Sequence, residues 1–199
     1  MPVAPVPPPS DAALIRQVRQ GDPRAFRVLV ERYEGQVAAT VIGMLGRGPE
    51  ADDVGQETFV RFYEALDRFR GEASVGTYLT RIAINQSLKA LRKRRSWTRR
   101  FVPQSRLAAP LPDPPDPTTA LDHLDRRERE TLVHEAVQAL RPKHRAVVVL
   151  RMLQGLSTNE TAAALGIPPG TVMSRLARGL AALREPLADL DVTPDADRR

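Results

Sequence analysis

The chain has 199 residues, a formal net charge of +6 and no cysteine. That length admits one ordinary domain or two small ones, and the charge, with a pI near 10.4, favours an acidic partner, nucleic acid before an anionic membrane surface. Without cysteine there is no disulfide, thiolate metal site or cysteine nucleophile; three scattered histidines, His123, His134 and His144, do not make a zinc site, and no cofactor is implied.

Residues 1–9 are proline-rich and carry no charged side chain. They lack the basic start and apolar core of a signal peptide, so they read as the disordered tail of a cytoplasmic protein. No apolar run approaches the ~20 residues of a membrane span, and no membrane insertion is expected. Ser10 or Asp11 caps a first short helix in which Leu14 and Val18 lie one turn apart, and Gly21 closes it. Asp22-Pro23 starts a second helix, with Asp as N-cap and Pro in the first turn. Its apolar positions are Phe26, Leu29, Val30, Tyr33, Val37 and Val41, spaced for one face.

Gly46, Gly48 and Pro49 interrupt the pattern, and a third helix is predicted over residues 49–69. Glu50, Asp52, Asp53 and Glu57 stand at or near its start, where negative charge suits the helix dipole. Asp53 and Glu57 are one turn apart and could share a cation, but no histidine, nucleophile or phosphate-cradling loop accompanies them. A fourth helix is predicted over residues 74–95. Leu79, Ile82, Ala83 and Gln86 form one face, and Arg81, Asn85, Lys89 and Arg92 another. From Ala73 to Pro112 there are nine Lys or Arg and no Asp or Glu. An ordinary solvated helix mixes signs, so this stretch points to a polyanion; Asn85 and the single Trp97 suit a DNA backbone better than a membrane surface.

Six prolines, Pro103, Pro110, Pro112, Pro114, Pro115 and Pro117, end regular structure, so residues 96–119 read as a linker stiffened locally by proline. Periodicity returns near Ala120. Leu132, Ala136, Val137 and Leu140 mark one face; a helix from Pro142 turns Ala146, Val149, Leu150 and Leu153 inward. Ser157 and Glu160 form a capping box, Ala162 and Leu165 face inward, Gly166 supplies a left-handed turn, and Ile167 plugs the corner. Pro168-Pro169 start the last helix, with Val172, Leu176, Leu180 and Leu183 inside and Thr171, Ser174, Arg175 and Arg178 outside. Two short helices joined by a glycine turn, the second polar and basic outside, describe a DNA-reading helix-turn-helix. The same segment also reads as a helical hairpin with a solvated face. No strand signal occurs. The chain is predicted all-α: a domain at 10–95, the linker, a second domain at 120–186 and a disordered tail at 187–199.

Several stretches resemble the extracytoplasmic-function (ECF) sigma factors of bacterial RNA polymerase. Gly155-Leu156-Ser157 and the run Ile167-Pro168-Pro169-Gly170-Thr171-Val172-Met173-Ser174-Arg175-Leu176 are similar to the family's G-L-S and I-P-x-G-T-V-K-S-R-L, and residues 140–153 to its L-P-x-x-x-R-x-V-x-x-L-R. The resemblance implies a region 4 that reads the −35 element through Gly170, Thr171, Met173, Ser174, Arg175 and Arg178 and rests on the polymerase β flap. Met173 stands where the family has lysine, which removes a phosphate contact. Asp52-Asp53-Val54-Gly55-Gln56-Glu57-Thr58-Phe59-Val60-Arg61 resembles E-D-L-V-Q-E-T-F-x-R, which implies docking of Asp52, Asp53, Gln56 and Glu57 on the β′ clamp coiled coil. Gly55 is unusual there. Thr77-Tyr78-Leu79-Thr80-Arg81-Ile82-Ala83-Ile84-Asn85 is similar to T-W-L-x-x-I-A-x-N, which implies −10 recognition and melting by Arg70, Arg81, Asn85, Lys89, Arg92 and Lys93, with a flipped base held by the loop at residues 70–75. Tyr78 replaces Trp, and Lys89 the usual Asp. Core RNA polymerase, promoter DNA and an anti-sigma factor are the partners so implied, and no enzymatic activity is. A stand-alone helix-turn-helix regulator leaves the acidic helix and the linker without a role, and a metal-dependent nuclease lacks ligands.

Overall fold

The computed structural model describes residues 8–101, 126–188 and 190. Among them every regular element is helical, as the sequence predicts. Helix α1 is Asp11–Arg19, α2 Pro23–Leu45, α3 Pro49–Ala65 and α4 Val75–Phe101, with a 3-10 turn at Leu66–Arg68. Then come α5 at Arg126–Ala139, α6 at Pro142–Val148, a π turn at Val149–Leu153, α7 at Thr158–Leu165 and α8 at Pro169–Arg184.

Local chemistry accounts for most boundaries. The Ser10 hydroxyl accepts from Ala13 N–H and the Asp22 carboxylate from Arg24 N–H, so both predicted N-caps are made. Ser157 and Glu160 close the capping box in both directions, and Gly166 ends α7 in the left-handed conformation at φ 62°. Helix α4 differs from expectation: it runs six residues past Arg95, through the first part of the expected linker. The reason is the position of Pro103: no residue before it in the sequence forbids a helix. Of the expected tails at 1–9 and 187–199 and the expected linker at 96–119, residues 1–7, 189, 191–199 and 102–119 lie outside the described residues.

Helices α1 to α4 enclose one core of Leu14, Leu29, Val37, Val41, Phe62, Leu66, Leu79 and Ala83. Phe62 is its largest buried side chain and lies in an aromatic cluster with Phe26, Phe69 and Tyr78, at centroid distances of 6.3, 6.1 and 6.0 Å. Arg19 bolts the 3-10 turn to α1: its guanidinium donates to Leu66 O at 2.6 Å and Phe69 O at 2.6 Å. The side chain of Asp11 ties α1 to α2 through Arg32 and the Tyr33 hydroxyl; burial first, then this bond, pushes the Tyr33 pKa up to about 12.

The second core gathers Ala136, Val137, Leu140, Ala146, Val148, Val149, Leu150, Leu156, Ala164 and Leu183, together with Met44 of α2 and Ile84 of α4. Three apolar positions expected inside are not. Leu153 is 54% exposed because the π turn adds a residue to the helical repeat and rotates the position outward. In α8 the inner row passes through buried Gly179, which leaves Leu180 at 38% exposure on the adjoining face. Leu132, near the start of α5, is 40% exposed, beyond the part of that helix the core covers.

Candidate nucleic-acid interface

Helix α4 begins where the Ser74 hydroxyl accepts from Thr77 N–H at 3.1 Å. Burial of Leu79, Ala83 and Ile84 fixes its rotation, and the opposite side turns Arg81, Asn85, Lys89, Arg92 and Lys93 to solvent. Arg70, in the loop before it, is also exposed. The Phe69 and Tyr78 rings meet edge to face at 5.1 Å, so an aromatic contact pins both ends of that loop. The sequence reading treated Tyr78 only as a replacement for Trp and missed this packing role and that of Arg19.

On α8, Gly170, Met173, Ser174 and Arg178 are exposed, and Thr171 and Arg175 are half-buried. The Ser174 hydroxyl donates back to Thr171 O at 3.1 Å. Met173 sulfur accepts a weak bond from the Thr158 hydroxyl at 3.6 Å, so the residue that replaces lysine touches the start of α7. A Cβ on Gly179 would stand 2.7 Å from Val148 Cγ2 and 3.7 Å from His144 Cβ. Glycine therefore lets α6 press against α8 and brings His144 beside it. Burial lowers the His144 pKa, and so does the positive charge of Arg141, Arg178 and Arg175. This basic group on the flank of α8 escaped the sequence reading, although Arg141 and His144 are spaced one turn apart.

The acidic positions of α3 are placed as expected of a helix start: Asp52, Asp53 and Gln56 are exposed and Glu57 is half-buried. Glu57 lies 2.7 Å from Arg61 Nε one turn on, so its carboxylate is held by its own helix. Gly55 lines a groove of about 370 Å³ between α2 and α3 with Val37, Val41, Asp52 and Gln56, and no atom stands within 4 Å of where its Cβ would be. Nothing in the fold requires glycine there. No group of His, Asp and Glu able to hold a metal ion occurs among the described residues.

An all-helical chain with a capped helix-turn-helix and a second, acid-free basic helix belongs to the class of DNA-binding transcription proteins. Residues 29–97 match the family Sigma-70 region 2, and residues 130–183 match Sigma-70, region 4. The chain is 34% identical over 187 residues to the RNA polymerase sigma-H factor of Pseudomonas aeruginosa, covering 90% of this chain and 95% of that protein. It is 33% identical over 185 residues to the ECF RNA polymerase sigma factor SigW of Bacillus subtilis, covering 88% and 96%. The chain belongs to the ECF family of RNA polymerase sigma factors and serves promoter recognition. Among solved structures it is similar to CnrH in complex with the cytosolic domain of CnrY, at 28% identity and a TM-score of 0.62 over 91% of this chain and 98% of that one. It shares its fold with the sigma factor RpoE of Bartonella quintana, solved with the anti-sigma factor NepR, at 22% identity and a TM-score of 0.62 over 82% and 96%.

Proposed function

We propose that the chain docks on core RNA polymerase through Asp52, Asp53, Gln56 and Glu57, and that its α5–α8 half rests on the β flap. Helix α4 and the loop before it, with Arg70, Arg81, Asn85, Lys89, Arg92 and Lys93, read and melt the −10 element. Helix α8, with Gly170, Thr171, Met173, Ser174, Arg175 and Arg178, reads the −35 element. The units fall at residues 10–95 and 120–186, with α4 carried on to Phe101. The protein performs no covalent chemistry, works in the cytoplasm and is restrained by an anti-sigma factor. The observation that carries this reading is the outer face of α4: Arg81, Asn85, Lys89 and Arg92 are all exposed along one line, in a stretch without a single carboxylate. A row of cations with one amide among them suits phosphates on both sides of a base contact. Solved complexes such as that of RpoE with NepR support the expectation of a protein inhibitor, and no described helix is long and apolar enough to cross a membrane.

Two substitutions separate the halves. Asn85→Ala is expected to leave −35 binding intact and to impair melting, read by permanganate footprinting. Arg175→Ala is expected to cost about 1–3 kcal/mol of promoter affinity and to relax preference at one −35 position. If Asn85→Ala melts promoters normally, the assignment of α4 to the −10 element is wrong.

A further inference from the structure

Inside a helix, glycine is the costliest residue after proline, and most helical glycines of this chain make room for a neighbour. A Cβ on Gly43 would stand 3.1 Å from a Val149 methyl, one on Gly76 2.8 Å from Gln36 Oε1, and one on Gly179 2.7 Å from a Val148 methyl. Gly35, Gly55 and Gly170 have no atom within 4 Å of that position. Gly170 opens the helix assigned to DNA. Gly55 is the one of these three that lines the groove of about 370 Å³ between α2 and α3. Its backbone is right-handed helix, so neither a turn nor a neighbour within the fold requires it. Glycine also serves where another molecule must come close to a backbone.

The groove has an apolar floor and an acidic lip. Val37, Val41 and Ala51 are its buried floor, and half-buried Phe59 lies along one side. Glu34 of α2 and Asp52 of α3 are exposed at its edges, and no Lys, Arg or His lines it. Ala38 and Gly55, one on each wall, keep its mouth open.

We propose that Gly55 is a specificity-determining position of the polymerase contact: the groove receives one large apolar side chain from a basic stretch of the β′ clamp coiled coil, and the missing side chain at Gly55 admits it. The inference rests on the docking reading above and adds a contact that the four polar residues do not supply. Asp52 and Gln56, assigned to docking, are themselves walls of the groove, so a helix that touches both lies across its mouth. An apolar anchor seated in a pocket and ringed by polar contacts is the arrangement that carries most binding energy at interfaces. The acidic lip selects a cationic neighbour on the incoming helix. The pattern that α3 resembles has valine in place of Gly55, and a valine would fill part of this space from within. Here the partner supplies that volume, which ties the chain to a polymerase whose side chain fits.

Full-length Gly55→Val tests the proposal by competition with the labelled, unsubstituted chain for core polymerase of the encoding organism. The thermal midpoint is expected to stay level or rise, because valine is the better helix former, while affinity falls about tenfold or more as the anchor is shut out. Undiminished affinity overturns the proposal. A second measurement leaves the floor of the groove as it is. The chain has no cysteine, so Ala38→Cys places a single thiol at the mouth. Core polymerase at about ten times its Kd is expected to slow maleimide labelling of that thiol roughly tenfold by mass action. Labelling at the rate of the free chain overturns the proposal, whether or not Gly55→Val folds. Asp53→Ala, outside the groove, tests the docking reading separately. If Asp53→Ala loses affinity and Gly55→Val does not, α3 docks and the groove stays empty. If Gly55→Val loses affinity and Asp53→Ala does not, the groove is occupied and the assignment of Asp53 to docking fails.

Discussion

The two halves of this protein build their interiors differently. Helices α1 to α4 surround a core they complete themselves, with Phe62 at its centre and aromatic rings on three sides. Helices α5 to α8 are shorter on average, and the larger of their cores takes in Met44 and Ile84 from the first half. The difference follows from size. A four-helix unit with a 23-residue α2 and a 27-residue α4 has enough amphipathic surface to complete one core and still offer Met44 and Ile84 to another. A unit whose α6 and α7 have 7 and 8 residues falls in the range where one core is marginal. It gains by borrowing. A small reading module can thus remain weakly stable alone and still be well packed when at rest.

The largest effect that tests this contrast compares two truncations. Phe62→Ala is expected to cost about 3–5 kcal/mol and Met44→Ala about 2–5 kcal/mol, each followed by denaturant unfolding. Phe62→Ala should weaken α1–α4. Met44→Ala should also loosen α5–α8, seen as loss of amide-exchange protection around Val148 and Leu150. If Met44→Ala leaves those amides protected, the second core does not depend on the first.

How far the fold could be read in advance follows the range of the interactions, in both halves. The N-caps at Ser10, Asp22 and Ser157, the left-handed turn at Gly166 and the outward cations of α4 all rest on interactions within four residues, and the sequence displays them. What it concealed depends on distant partners or on small changes in repeat. The π turn shifts Leu153 outward, Gly179 displaces the inner row of α8 away from Leu180, and α4 persists to Phe101 because nothing before Pro103 stops it. Arg145 and Gln138 looked like ordinary positions of one helical domain; their bonds to α2 cross about a hundred residues of sequence. No local pattern announces such a pairing.

A smaller effect is expected on the self-sufficient side. Gly55→Ala places a methyl where no atom stands within 4 Å, so it should stabilise α3 by about 1 kcal/mol, raising the thermal midpoint. If polymerase affinity falls in the same variant, the open groove beside Asp52 and Gln56 is used in docking; if both stability and affinity stay level, helix propensity does not govern this position.

The smallest expected effect lies on the dependent side and is set by pH. The folded-state pKa of His144 is lowered, by burial first and then by Arg141, Arg178 and Arg175. The unfolded chain therefore takes up the proton first as pH falls below about 6.5. Stability should decline slightly there and be unaffected well above that value. DNA binding should respond in the opposite sense. Phosphates near these arginines offset their charge and raise the His144 pKa, so binding takes up a proton and strengthens toward acid pH. His144→Gln should flatten both trends, measured by thermal melts and by anisotropy on −35 duplexes; a binding trend that survives the substitution assigns the proton elsewhere.

Helix α4 has one more consequence. At 1.5 Å per residue its 27 residues make a rod about 40 Å long, rooted at the loop of residues 70–74 and ending at Phe101. Whatever path they follow, the 24 residues from 102 to 125 can span at most about 80–90 Å. The rod carries the point from which those residues start away from the loop at its base, so its direction sets where they begin. On the promoter reading proposed above, the direction of this strut, and not only the number of residues that follow it, then decides which stretch of upstream duplex comes within range.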